Sequence, residues 1–148
     1  MSITEPGFLL PPLLVAVHSP RWTAAIAQAL ASCHIAAQWL PRMDSALRAA
    51  GQHSGSSVIV ELPETTTDGT LDELWKFINN PHRALVFAVG DQRHQDWSDQ
   101  IVAAGVVQVA TSILHFERLW NLAIRNLQNH RTEDLSVEEL VEARFPFQ

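Results

Sequence analysis

Few side chains in this sequence could do chemistry, and the best placed of them is Glu61, which ends the run Ser57-Val58-Ile59-Val60. A short, continuously apolar and β-branched run reads as a strand covered on both faces. The end of such a strand is where open α/β sheets place their sites. His18 closes an earlier run of the same kind, and Asp91 and His94 follow a later one. A carboxylate beside an imidazole in a cleft is equipped for general acid–base work, because burial or an anionic neighbour moves histidine through neutral pH. His18, Glu61, Asp91 and His94 therefore form the candidate pocket of a small-ligand-binding protein or enzyme. The plainer expectation is that both histidines lie on surface loops and that Glu61 is a solvated carboxylate at a strand end.

Other chemistries lack their residues. The seven histidines stand in no CxxC, HExxH or comparable ligand spacing, so neither a metal nor a cofactor is expected. The turn after the first apolar run, His18-Ser19-Pro20-Arg21-Trp22, has no glycine through which backbone N–H groups could approach a pyrophosphate. There is no GxSxG elbow. The single cysteine, Cys33, permits no internal disulfide and reads as a small packed residue with no base beside it.

Five apolar runs predict strands at 13–17, 35–40, 57–62, 84–89 and 106–110, with Pro41 confining the second to an edge. Between them lie helical patterns. Ser19 and Pro20 start a helix carrying Trp22, Ile26 and Leu30 to about Ser32. Asp44 caps a short helix that Gly51 stops. Thr70 and Glu73 make a capping box for a helix with Leu71, Leu74, Trp75 and Ile78 on one face. A weaker helix covers 96–104 with Trp97 and Ile101 inward, and the longest begins beyond Ser112, with Ile113, Phe116, Leu119, Trp120, Ala123, Ile124 and Leu127 as its apolar stripe. Core packing accounts for most of the tryptophans, with Trp22 and Trp97, near helix starts, expected to be the exposed ones. Strands alternating with helices over short connections imply a parallel sheet with helices on both faces.

The chain divides into an extended N-terminal tail over 1–12, rich in proline and glycine, an α/β domain over 13–130, and a C-terminal tail over 131–148. That last tail has a second capping box, Ser136 to Glu139, and a short amphipathic pattern with Val137, Leu140 and Val141 followed by Phe145 and Phe147. So much apolar surface needs a cover, either this domain or another chain. With 148 residues, 47% of them apolar, the chain can bury a core without staples. A net charge of −6, with the cations scattered, argues against a nucleic-acid surface. Prolines interrupt the N-terminal apolar run before it reaches membrane-spanning length, and no basic residue precedes it as in a secretory signal, so a cytoplasmic location is expected.

Five such units with a carboxylate closing the third strand resemble the receiver domain of two-component response regulators, over roughly residues 13 to 128. Asp68-Gly69 stand seven and eight residues beyond Glu61, as an Asp-Gly pair does beyond the phosphoacceptor aspartate of receivers. The resemblance implies a flavodoxin-like (βα)5 fold, a doubly wound parallel sheet of order 2-1-3-4-5 in a three-layer sandwich. The departures fall on the phosphorylation site. Glu61 replaces the aspartate, His18 and Ser19 the acidic pair that holds Mg²⁺, Val89 or Gly90 the Ser or Thr after strand four, and Ser112 the lysine after strand five. These positions, His18, Ser19, Glu61, Val89 and Ser112, describe a degenerate pseudo-receiver that is not an enzyme. Such a module of two-component signalling acts through protein–protein interaction, with a protein partner or by self-association as a homodimer through its fourth and fifth helices and last strand. Val137, Leu140, Val141, Phe145 and Phe147 are the candidate interaction surface, and the acidic chain would favour a basic partner.

Overall fold

Leu13, Leu14, Val15 and Ala16 are all buried, as a strand with helices on both faces requires. In the computed structural model, which describes residues 13–53, 55–64, 68–78 and 84–133, they form β1 (Leu13–Ala16), an interior strand second from one edge of a five-stranded sheet. The other strands are β2 (Ala37–Trp39), β3 (Ser57–Glu61), β4 (Leu85–Val89) and β5 (Gln108–Ala110). All pairings are parallel and the order is β2-β1-β3-β4-β5. The chain therefore has the flavodoxin-like (βα)5 fold. The N-terminal tail and the C-terminal amphipathic segment with Val137, Leu140, Val141, Phe145 and Phe147 lie outside the described residues.

Side-chain alternation sorts the strand residues between two cores. Leu14, Ala16, Val58, Val60, Val86 and Ala88 face one layer, made of α2 (Met43–Ala50), α3 (Asp68–Ile78) and α4 (Ser98–Ala103). Leu13, Val15, Ile59, Phe87 and Val89 face the other, made of α1 (Pro20–Ala31) and α5 (Phe116–Glu133). A polar tie fixes α5 to the start of β3. Asn126 donates to the carbonyls of Gly55 and Ser56, both at 3.2 Å, and to Ser57 Oγ at 3.0 Å, while Ser57 donates to the Ala123 carbonyl at 2.7 Å. These bonds are buried, so each stands where water cannot replace it.

Several local expectations change. α3 starts at Asp68, so Thr70 lies inside its first turn and the Thr70–Glu73 box does not mark its start. The helix expected over 96–104 is α4, which begins at Ser98, and its first two expected residues end a preceding 3₁₀ turn, Gln92–Trp97. Ser112 precedes a 3₁₀ turn, Ile113–His115, and its hydroxyl meets His115 Nδ1 at 3.1 Å without capping the backbone. Trp22 is fully buried, against the expectation of exposure, and packs on Phe116 with ring centroids 5.7 Å apart. Trp75, expected on the inner face of α3, is 53% exposed, because Leu74 takes the inward position. Ile113 is likewise exposed, ahead of the turn where α5 begins.

Gly105 closes α4 with φ of +113°, and a Cβ there would lie 2.5 Å from Ile78 Cγ2. Both the backbone conformation and the close approach of α3 exclude a side chain. Gly105→Ala is expected to lower unfolding stability by about 2 kcal/mol or more in urea melts, since strain and overpacking add; a change within about 0.5 kcal/mol, as at ordinary surface positions, would contradict this placement.

Candidate functional site

The sheet brings the ends of β1, β3 and β4 together, with Glu61 paired in register to Val89. Here the turn after β1 enters α1. Ser19 caps this helix, its side chain accepting from the Trp22 amide, and Pro20 supplies its first residue. α1 has no acidic residue in its first turn. Its free N–H groups and positive dipole end still call for an anion, and β3 supplies one. Glu61 Oε1 accepts from the backbone N–H of His18 at 2.8 Å and of Ser19 at 2.9 Å. The carboxylate that was expected to be solvated has a side chain only 10% exposed. His18 itself is an open imidazole, 70% exposed, with Nδ1 3.6 Å from the same oxygen.

The opposite wall is the turn after β4. The Gly90 carbonyl accepts from Arg21 Nη2 at 2.7 Å and from the Trp22 indole N–H at 2.9 Å. The Arg21 guanidinium also lies 4.9 Å over the Trp22 ring, a cation–π arrangement. Gly90 cannot carry a side chain here, since a Cβ would stand 2.5 Å from His94 Nδ1. His94, expected on a surface loop, is 3% exposed. Its Nδ1 accepts from the Asp91 N–H at 3.0 Å, and the ring N–H at Nε2 donates to the Pro63 carbonyl at 2.7 Å. Both nitrogens are spent in fixing the loops after β3 and β4, so neither is left to move a proton.

Asp91 completes the rim. It caps the 3₁₀ turn by accepting from the Arg93 N–H at 2.8 Å and holds the Arg93 side chain through both carboxylate oxygens. Arg93 reaches on to Glu64 at 2.7 Å. The Arg93 side-chain hydrogen bonds outweigh partial desolvation and hold the Asp91 carboxyl down at about 2, and the two acids raise the Arg93 guanidinium in turn. The pair is open to solvent, so its contribution to stability is small.

Together these residues line a cleft of about 350 Å³. The structure thus gathers all four pocket residues read from the sequence, His18, Glu61, Asp91 and His94, and adds Arg21, Glu64, Gly90 and Arg93, which were not foreseen. Of the receiver-like positions, His18, Ser19 and Glu61 meet at the cleft. Val89 is buried in the core, with Gly90 next to it at the wall, and Ser112 bonds to His115 without lining the cleft.

The donor set does not suit Mg²⁺, which wants several oxygens in octahedral array. His18 and Ser19 present backbone N–H groups to this end of the sheet, and these already take up Glu61 Oε1. Among the described residues no three of His, Cys, Asp and Glu converge as metal ligands, and no helix is long and apolar enough to cross a membrane. No protein-family profile matches this sequence, and no curated protein matches it as a relative.

Glu61→Ala is expected to cost about 2 kcal/mol of stability, because it strips an anion from two N–H donors, whereas Glu61→Gln keeps an acceptor and costs about 1 kcal/mol or less. Equal losses in urea melts would mean that Oε1 is not gripping the turn. For Asp91 the sign follows from its lowered pKa of about 2 against an ordinary 3.8: its stabilisation is present above pH 4 and fades as pH falls toward 2. Asp91→Asn should therefore flatten the stability profile across that window and leave its slope near neutrality unchanged.

Proposed function

We propose that this chain is a receiver-like signalling or protein-interaction module without phosphoacceptor chemistry. The observation that carries the reading is the engagement of Glu61 by the N–H groups of His18 and Ser19. The carboxylate in the acceptor position is spent on holding the turn from which a metal would otherwise be held. Phosphoryl transfer depends on positioning and on neutralising charge over the transferred group. The cations at hand, Arg21 and Arg93, are directed to the Gly90 carbonyl and to Asp91 with Glu64. Glu61 also sets its carboxylate about 1.5 Å further out than aspartate would. The partner in this reading is another protein or a second copy of the chain, with a basic surface favoured by the net charge of −6.

A second reading is favoured by the cleft itself, whose 350 Å³ fits a small polar ligand against the open His18 imidazole and the Arg21 guanidinium. In that reading the site binds, and its buried groups orient.

Acetyl phosphate with Mg²⁺ should leave the mass of the intact protein unchanged; an acid-labile adduct on Glu61 would overturn the first reading. In a thermal-shift panel of small anions, amino acids and nucleotides, a saturating ligand would add about 2.7 kcal/mol at a hundredfold excess over Kd. The first reading expects no shift, and a shift lost in His18→Ala would establish the second.

A further inference from the structure

An acid and an arginine line the cleft after β1, β3 and β4 without meeting each other. Glu61 and Arg21 both stand on its wall, yet among the described residues no ion pair joins them. The other charged pair of the cleft is closed on itself, since Arg93 is taken by Asp91 and Glu64.

Glu61 uses only half of its carboxylate. Oε1 accepts from the amides of His18 and Ser19, and Oε2 accepts from no described residue. The side chain is 10% exposed. Among the described residues, the one buried side-chain polar atom sealed off without a partner is Ser56 Oγ, so Oε2 still opens on the cleft. A carboxylate oxygen held in place, nearly buried and without a donor, calls for one, and a cationic donor satisfies it best. Arg21 is fixed in the same manner. Its Nη2 donates to the Gly90 carbonyl at 2.7 Å and its guanidinium lies 4.9 Å over the Trp22 ring, while its remaining N–H groups meet no acceptor among the described residues. A guanidinium presented in this way suits a carboxylate.

The occupant must therefore bring a cation to Glu61 and an anion to Arg21. A simple amine would leave Arg21 unmatched, and a free phosphate would face the carboxylates of Glu61, Glu64 and Asp91, which line the same cleft. The volume of about 350 Å³ lies at the small end of ligand sites. We propose that the cleft binds a free amino acid, its ammonium donating to Glu61 Oε2 and its carboxylate accepting from the Arg21 guanidinium. The inference rests on the second reading above, that the cleft takes a small polar ligand, and names the class of that ligand. Both charged groups are already anchored by the fold, so binding orders little of the protein.

The test follows the NMR amide signals of His18, Ser19 and Gly90 in the full chain as each protein amino acid is added at millimolar concentration. At least one should move these signals to saturation. Its N-acetyl derivative, which lacks the ammonium, and its methyl ester, which lacks the carboxylate, should each bind at least about tenfold more weakly, the worth of one charge-assisted hydrogen bond. Glu61→Gln keeps an acceptor for the turn, and Arg21→Gln leaves the Gly90 carbonyl to the Trp22 indole; each should weaken binding by a similar factor. Undiminished binding of either blocked derivative, or by either variant, would overturn the inference. So would saturation by phosphate or a nucleotide and by no amino acid, although the second reading would then survive if that binding were lost in His18→Ala. Signals unmoved by every probe would overturn both.

Discussion

One carboxylate oxygen organises this end of the molecule. A parallel sheet must release its chain into a helix after each strand, and the first amides of that helix have no partner within it. At the turn after β1 the partner comes from the neighbouring strand, as Glu61 Oε1 takes the amides of both His18 and Ser19. The helix it opens brings Arg21 and the Trp22 indole onto the Gly90 carbonyl. Three strand ends are thereby joined by four hydrogen bonds around one loop. Trp22, held at its indole nitrogen, then sits fully buried on the inner face of α1 against Phe116.

This arrangement sets what the cleft can offer. Much of its buried polar capacity is already used within the protein: Glu61 Oε1 by two amides, and both His94 ring nitrogens by the Asp91 amide and the Pro63 carbonyl. Polar groups used in this way rigidify loops, and a satisfied network is more costly to break than its bonds counted singly. What remains available is the open His18 ring, the second Glu61 oxygen and the unused faces of Arg21.

The parallel sheet was legible because continuously apolar runs such as Val58 to Val60 and Val86 to Val89 have few homes outside a buried parallel sheet, whereas the strand order came only from the resemblance to receiver domains. The convergence of His18, Glu61, Asp91 and His94 was legible for the same reason, since each follows a strand and topology carries all of them to one edge. Orientation was not. Nothing in Trp22's neighbours shows that its indole would find the Gly90 carbonyl, a partner 68 residues away. Glu61 could be read as solvated because its donors are backbone amides, which leave no mark in side-chain identity. His94 could be read as a loop histidine because its burial depends on the glycine at position 90, whose missing side chain makes the room. Helix starts shifted where local capping signals, as at Thr70, were outweighed by the path of the chain into the helix.

The central claim is that Glu61 holds the turn after β1, and amide hydrogen exchange at His18 and Ser19 reads it directly. The account predicts that both amides are protected in the native chain and exchange freely in Glu61→Ala, while amides in the middle of β3 keep their protection. If His18 and Ser19 exchange as fast in the native chain as in the variant, the carboxylate is not holding them, and the site must be built in another way.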